Sequence, residues 1–349
     1  MAISALAEPA VRRGSDYSQL SRRISQAGLL ERRTGWYVTR IAVTIGLFVA
    51  GWIAFAAVGN SWWQLPVAVF LAFATTQVAF LGHDAGHKQM FRNRRASEIA
   101  GLIAGNLATG LSYGWWIDKH NRHHANPNHE DEDPDVGAGA LVWTHEQALA
   151  TRGFGRWMAR RQAYLFFPLL LLEGLALHVA SVRALRGTPM RHRRVEALLL
   201  VVHTVGYLGV LFTVLSPVRA LVFIAVHQGL WGLYMGCSFA PNHKGMPVMT
   251  AEDNLDFLRK QVLTSRNVRG GVVVDFLLGG LNYQIEHHLF PSMPRANLRK
   301  AQPIVTEFCA ERGIPYEETG LFDSYRQALR HLHEVGAPLR AADRATAVG

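Results

Sequence analysis

At 349 residues the chain is long enough for one large domain or two small ones, but 49% hydrophobic against 18% charged residues is too apolar for an ordinary soluble pair. The formal net charge of +10 does not point to nucleic acid, because the arginines flank apolar runs instead of interleaving with aromatics on a separate domain. Two cysteines, Cys237 and Cys309, lack the spacing of a disulfide framework or a thiolate metal site, which fits a reducing, cytosol-facing compartment.

Residues 1–38 read as a cytosolic N-terminal region without the charged start and small-residue cleavage site of a secretory signal. The runs 39–58 and 64–82 each supply about 20 apolar residues, enough to cross a hydrocarbon core of roughly 30 Å. Gly59 to Trp63 joins them and carries no charge, so the pair reads as a hairpin with interfacial tryptophans at its tip. Arg12, Arg13, Arg22, Arg23, Arg32 and Arg33 precede it and Lys88, Arg92, Arg94 and Arg95 follow it, which places both of its ends in the cytoplasm. The glycine-rich stretch 98–114 and the segment 163–182 read as helices lying in the interface. The second carries Glu173 and His178, and a crossing there would take Arg183, Arg186, Arg191, Arg193 and Arg194 to the outer side. Runs 196–215 and 218–240, turned at Ser216 and Pro217, form a second hairpin. Residues 241–335 then read as a cytosolic helical cap, and the Ala/Arg-rich tail from Gly336 as mobile. The expected fold is an all-α membrane protein: four transmembrane helices in two hairpins, interfacial helices and a cytosolic cap. N-terminus, C-terminus and cap share the cytoplasmic side, and no repeat of 20 to 50 residues is apparent.

Histidines gather where these spans end. His83 and His87 project from one helix face, a turn apart. His120 and His124 repeat that geometry, while His123 is displaced by about 100° and can reach a second ion. His287 and His288 form an adjacent pair, and His243 follows the last span at the same depth. Eight imidazoles exceed what one tetrahedral ion uses, so two metals with open positions is the economical reading, and topology alone brings every cluster to one side. Imidazole suits zinc, copper, iron and nickel alike; a redox metal, iron, is the one suited to oxygen chemistry on hydrocarbon. Asp84, Asp118, Asp133, Asp135 and Glu286 adjoin these clusters and are candidates to orient the rings. Any single pair could be a packing coincidence, and an acidic run such as His129 to Asp135 is ordinarily a solvated loop. His145, His178, His192, His203, His227, His331 and His333 are read as packing or surface histidines.

His83-Asp84-Ala85-Gly86-His87, His120-Asn121-Arg122-His123-His124 and Gln284-Ile285-Glu286-His287-His288-Leu289-Phe290-Pro291 resemble the three histidine boxes of integral-membrane fatty acid desaturases. The likeness extends through Asn282-Tyr283, Met293-Pro294-Arg295 and Asn297-Leu298 and covers roughly 35 to 320. Gln284 at the opening of the third box resembles the front-end and acyl-lipid branch. The resemblance implies a di-iron enzyme that uses O2 and two electrons to place a cis double bond in an acyl chain of a phospholipid or acyl-CoA. It implies ligation by His83, His87, His120, His123, His124, His287 and His288, with His243 as the extra ligand. One departure is that Asn242 adjoins His243 instead of standing a helical turn before it, so the metal-proximal asparagine of the stearoyl-CoA branch has no clear counterpart. Asn242 and Gln284 are carried as candidates around the site. Many front-end relatives carry a fused cytochrome b5 domain with a His-Pro-Gly-Gly motif that this sequence lacks, so an external donor, a ferredoxin or a separate cytochrome b5, is expected. Arg12, Arg183, Arg193 and Lys300 lie on the basic face that would dock it. The apolar spans are expected to enclose a substrate tunnel below the cap.

Two rivals differ in chemistry. A histidine-box hydroxylase or ketolase could use the same ligands on another hydrocarbon, and a metal transporter would line a path within the spans instead of gathering ligands at one edge.

Overall fold

The computed structural model describes residues 15–341. Helices dominate; the one two-stranded ladder among the described residues pairs Asn267–Val268 (β1) with Glu318–Thr319 (β2) in parallel. A short amphipathic helix α1, Asp16–Gln26, starts at Ser15, whose hydroxyl accepts from the Ser18 N–H. α2 (Thr34–Val58) and α3 (Gln64–Gly86) form the first hairpin, closed by Gln64 Nε2 donating to the Phe55 and Gly59 carbonyls at 2.7 and 2.9 Å. α4, Arg94–Leu102, runs into a π-helical turn, Ile103–Thr109, which ends at Gly110 with φ +70°. α5 (Tyr113–Ala125), α6 (His145–Ala150), α7 (Gly153–Leu170) and α8 (Glu173–Gly187) follow. α9 (Arg193–Val214) and α10 (Pro217–His243) make the second hairpin, with Pro217 at the first helical position, where its missing N–H costs nothing. The cap comprises α11 (Phe257–Leu263), α12 (Val272–Leu277), α13 (Gln284–Leu289), α14 (Arg295–Ala310) and α15 (Leu321–Val335).

Four helices, α2, α3, α9 and α10, are long and apolar enough to cross a membrane; α2, α3 and α10 each enclose an expected span, and α9 covers 196–215 up to Val214. α2 and α9 leave branched side chains such as Val43, Ile53, Leu198 and Val205 exposed, while α3 is buried along most of its length. Apolar faces of that extent need a non-aqueous neighbour. α3 is therefore the central post, and its last turn delivers His83 to the cap.

Three expectations change. The segment 163–182 is not one helix: α7 and α8 meet at Leu171 and Leu172 with an 83° bend. Pro168 removes a ladder donor just before the break. Beyond it, α8 lies so close to α10 that a Cβ at Gly232 would stand 2.5 Å from the Gly174 nitrogen. Likewise the tail from Gly336 is ordered as far as Ala341: Leu339 is fully buried beside Val142 and Val335, and Arg340 donates to the Arg160 and His333 carbonyls. Residues 342–349 lie outside the described residues. The stretch 98–114 is likewise interrupted, passing from α4 through the π turn to a new helix.

The N-terminal region joins the cap's core. Leu20 and Ile24 of α1 pack with Leu298, Val305 and Phe308 of α14, and Arg23 grips Glu311 through two hydrogen bonds of 2.8 and 2.7 Å. A buried carboxylate positions α5. Glu196 of α9 accepts from Ser112 Oγ at 2.7 Å, the Gly114 N–H at 3.1 Å and Asn106 Nδ2 at 3.2 Å. It thereby ties the start of α5 to the membrane hairpin.

Candidate metal centre

The structure brings all eight histidines together. His83 and His87 come from the end of α3, His120, His123 and His124 from α5, His243 from the last turn of α10, and His287 and His288 from α13. His83, His87, His120 and His287 each place one ring nitrogen within 4.8 Å of the others, and His123, His243 and His288 form a second such set. Neighbours in sequence divide between the sets: the ring of His287 lies 4.7 Å from those of His83 and His87, whereas His288 lies 4.7 Å from His243. His124 stands between the sets, its Nε2 3.1 Å from His120 Nε2 and its ring stacked 4.2 Å from His288.

Proton placement decides what these contacts mean. His123 Nδ1 donates to Asp133 Oδ2 at 2.8 Å, His243 Nδ1 to the Thr264 carbonyl at 3.0 Å and His288 Nδ1 to Gln261 Oε1 at 2.8 Å. A neutral imidazole that donates at Nδ1 carries a bare lone pair at Nε2. Yet His123 and His243 Nε2 are 3.3 Å apart, and His243 and His288 Nε2 3.1 Å. Lone pairs so placed repel unless a cation lies between them. Two nitrogens about 2.1 Å from one ion at a right angle stand about 3 Å apart. In the other set His87 and His120 Nε2 are 2.9 Å apart, and the buried Nε2 atoms of His83 and His287 have no hydrogen-bond partner. Burial, and then the neighbouring rings, hold His124, His287 and His288 well below the ordinary imidazole pKa, in the neutral form that ligates. The residues fit a metal site.

The surrounding candidates separate. Asp133 accepts from His123 and from the Asn128 and Asp135 N–H groups. Burial, the largest single influence, would raise its pKa, but the hydrogen bond and attraction from His123 together with the Asp135 N–H outweigh it and leave it lowered. Asp135 pairs with Lys119 and lies 3.6 Å from His123 Nδ1. Gln284 Nε2 donates to His243 Nε2 at 2.9 Å. Asp84 is 3.6 Å from His83 Nδ1 and is held by Arg295 at 2.5 Å, which ties α3 to α14. Asn242 reaches Gln284 and the Ser238 carbonyl but no ring. Glu286 turns away from the histidines and accepts from Asn267 and Tyr316 at 2.7 and 2.8 Å; burial still pushes its pKa up to about 7. Asp118 pairs on the surface with Arg122 at 3.2 Å, and His129 accepts only from a neighbouring backbone N–H.

Sequence reasoning missed Gln261, Thr264 and Trp116. Gln261 and Thr264 carry no spacing signal, lying on or just after the short α11, and Thr264 acts through its backbone. Trp116, stacked 4.4 Å from His120, sits four residues before it and was open to detection by helical spacing.

Below the rings a cavity of about 290 Å³ runs between α3, α5, α8 and α10, lined by His83, His120, His123, His243 and apolar side chains including Leu111, Leu177 and Met235.

A model of the fatty acid desaturase family matches residues 60–320. The chain belongs to the fatty acid desaturase family. It is 30% identical over 340 residues to an acyl-lipid (9-3)-desaturase of Physcomitrium patens, covering 94% of this chain and 64% of that protein. It is 31% identical to a delta-8 fatty acid desaturase of Euglena gracilis, covering 86% and 74% of the two chains. A delta-5 fatty acid desaturase of Caenorhabditis elegans is 29% identical, with 93% and 75% covered. The chain thus spans about two thirds to three quarters of these relatives. As a family member it is an oxidoreductase embedded in a membrane.

Proposed function

We propose that the chain desaturates an acyl chain carried as an acyl-lipid or acyl-CoA, with two iron ions held by His83, His87, His120, His123, His124, His243, His287 and His288. When bound, the irons supply O2 activation: two hydrogens leave adjacent methylenes, two electrons and two protons enter, and a cis double bond and two waters result. The observation that carries this reading is the approach of ring nitrogens to about 3 Å in two sets, with bare Nε2 atoms in the set of His123, His243 and His288, beside a cavity lined mainly by apolar side chains. The protein's own part is to fix the rings and their proton. Asp133, Gln261 and the Thr264 carbonyl hold Nδ1–H and aim Nε2 inward. Leu111, Leu177 and Met235 shelter hydrocarbon from water. Arginines around both hairpins support a cytoplasmic cap, where a ferredoxin or cytochrome b5 would bring electrons to a basic face that includes Arg183, Arg193 and Lys300. Arg12 belongs to the same proposed face and lies outside the described residues.

Gas chromatography with mass spectrometry of lipids from a host expressing the chain tests the reading. New cis-unsaturated chains, absent with His287→Ala, are expected. Hydroxylated or ketone products would replace it with the hydroxylase or ketolase alternative, and a single exchangeable zinc with no lipid product would favour a transporter.

A further inference from the structure

The cap carries its most exposed apolar side chains at two tips that the β1–β2 ladder brings together. Val272 and Val273 of α12 are 75% and 69% exposed, and Phe322 at the start of α15 is 88% exposed. α12 follows β1 and α15 follows β2 within a few residues. The strands are parallel, so both chains leave the ladder in the same direction. Contacts with the spans show where they go. Tyr234 OH of α10 donates to the Leu277 carbonyl of α12, and Tyr325 OH of α15 donates to the Cys237 carbonyl of α10, both at 2.6 Å. Tyr234 and Cys237 precede His243 along α10 by about 14 and 9 Å, at about 1.5 Å per residue. The Phe276 ring lies 6.1 Å from that of Phe73, near the middle of α3, and the Arg40 guanidinium of α2 sits 4.2 Å over its face. Tyr325 in turn lies 5.7 Å from Phe167 of α7. One tip therefore stands beside α2 and α3 and the other beside α7, both well below the histidines.

The first loop is built to hold that position. The Val268 N–H donates to the Asn282 carbonyl and Asn282 Nδ2 to Asp275 Oδ1, each at 2.9 Å, which closes its base and turns the acid toward the protein. Gly279, with φ +62°, lets the returning chain touch α3, for a Cβ there would stand 2.5 Å from the Phe80 ring. At the second tip Asp323 is met by Arg326 at 3.0 Å.

We propose that 269–279 and the start of α15 form a two-pronged wedge that enters the lipid leaflet nearest the cap. Val272, Val273 and Phe322 lie in hydrocarbon, and Arg269, exposed at the base of the first prong, meets phosphates. The occupant is lipid because the tips continue the exposed apolar surface of α2 and stand at a level where the spans cross the bilayer. The first prong runs directly into the segment that carries Gln284, His287 and His288, so the leaflet braces it. This inference rests on the four spans and not on the reaction.

Unmodified full-length protein in phosphatidylcholine nanodiscs is irradiated with a diazirine carried in the middle of an acyl tail, and labelled peptides are read by mass spectrometry. Peptides holding Val272–Leu277 and Leu321–Phe322 are expected to take label within about threefold of α2 and at least about tenfold above the α14 peptide around Glu307. A nitroxide at Val273→Cys or Phe322→Cys, with Cys237→Ala and Cys309→Ala, is expected to favour oxygen over a water-soluble nickel chelate, as at Val43→Cys and opposite to Glu307→Cys. Val272→Asp with Val273→Asp cuts acyl labelling of α12 about tenfold and leaves Phe322 labelled. Label confined to the spans, label on one prong alone, label indifferent to the aspartates, or a nitroxide at either tip that follows Glu307→Cys overturns the wedge. None of these readouts depends on turnover, so an inactive enzyme with labelled prongs would overturn the desaturase reading and leave the wedge standing.

Discussion

Two groups of histidines occupy this molecule, and they differ in what their second nitrogen meets. At the cap, Nδ1 of His123, His243 and His288 donates to an oxygen while Nε2 faces other Nε2 atoms at 3.1 and 3.3 Å. Among α8, α9 and α10, His178 and His203 also donate from Nδ1, to the Gly174 and Leu107 carbonyls at 2.7 and 2.9 Å. There, however, no Nε2 approaches another within bonding distance among the described residues. The third ring, His227, accepts from Tyr207 OH at 2.9 Å and meets Thr75 Oγ1 at 3.4 Å. Histidine abundance therefore does not mark a metal site. Convergence of unprotonated nitrogens from separate elements does.

The comparison breaks most directly at the cap. His287→Ala or His120→Ala removes a nitrogen from the first set while leaving the spans untouched. Activity is expected to vanish and bound metal to fall below two ions per chain, with membrane insertion unchanged, read by elemental analysis of the purified variant. Full desaturation by either variant would remove that residue from the centre. Asp133→Asn is gentler. The amide oxygen can still accept from His123 and the Asn128 N–H, but the NH2 then faces the Asp135 N–H and the negative charge that strengthens the ring as a ligand is gone. Metal affinity is expected to drop about 10- to 100-fold in a chelator competition, with the fold intact.

How far these contrasts were legible in sequence depended on what each feature leaves in the residues. Length and charge report directly on membrane crossing, so runs such as 39–58 lie within real helices such as Thr34–Val58. Helical spacing foretold that His123 would part from His120 and His124. The break between α7 and α8 was hidden because apolar residues continue across it; only Pro168 and the glycine crossing with α10 mark it. Leu339 was masked by the Ala/Arg composition around it, although it packs with Val142, Ala148, Ala159 and Val335. Glu286 looked like a neighbour of the site because it precedes His287, yet it points to the opposite side of its short helix. The carbonyl of Thr264 left no trace at all, since every residue has one.

Acid sharpens the comparison by adding protons where only cations belong. Burial and neighbouring rings lower the pKa of His124, His287 and His288 when folded, whereas an unfolded imidazole titrates near about 6.5. Below that value the unfolded chain binds more protons than the folded one, so stability is present above about pH 6.5 and falls as pH drops further. Each unit of lowering contributes about 1.4 kcal/mol per ring. The metal-free protein should therefore lose Tm steadily between about pH 7 and pH 5; saturating metal should raise Tm at each pH without flattening that decline, because metal-bound rings take up no protons in the folded state either. A flat Tm across this range would mean the rings are not held neutral by their surroundings.

The smallest effect belongs to the deep histidines. His227→Phe keeps an aromatic ring between α3, α9 and α10 but takes away the acceptor for Tyr207 OH. The hydroxyl is half-buried and keeps Gln228 beside it, so losing this acceptor costs at most about 1 kcal/mol, partly offset because the new ring buries more apolar surface. Thermal unfolding should therefore shift by a few degrees, while two metals per chain and desaturation persist. Loss of metal with unchanged stability would reverse the distinction, because it would give His227 the role that geometry assigns to the cap.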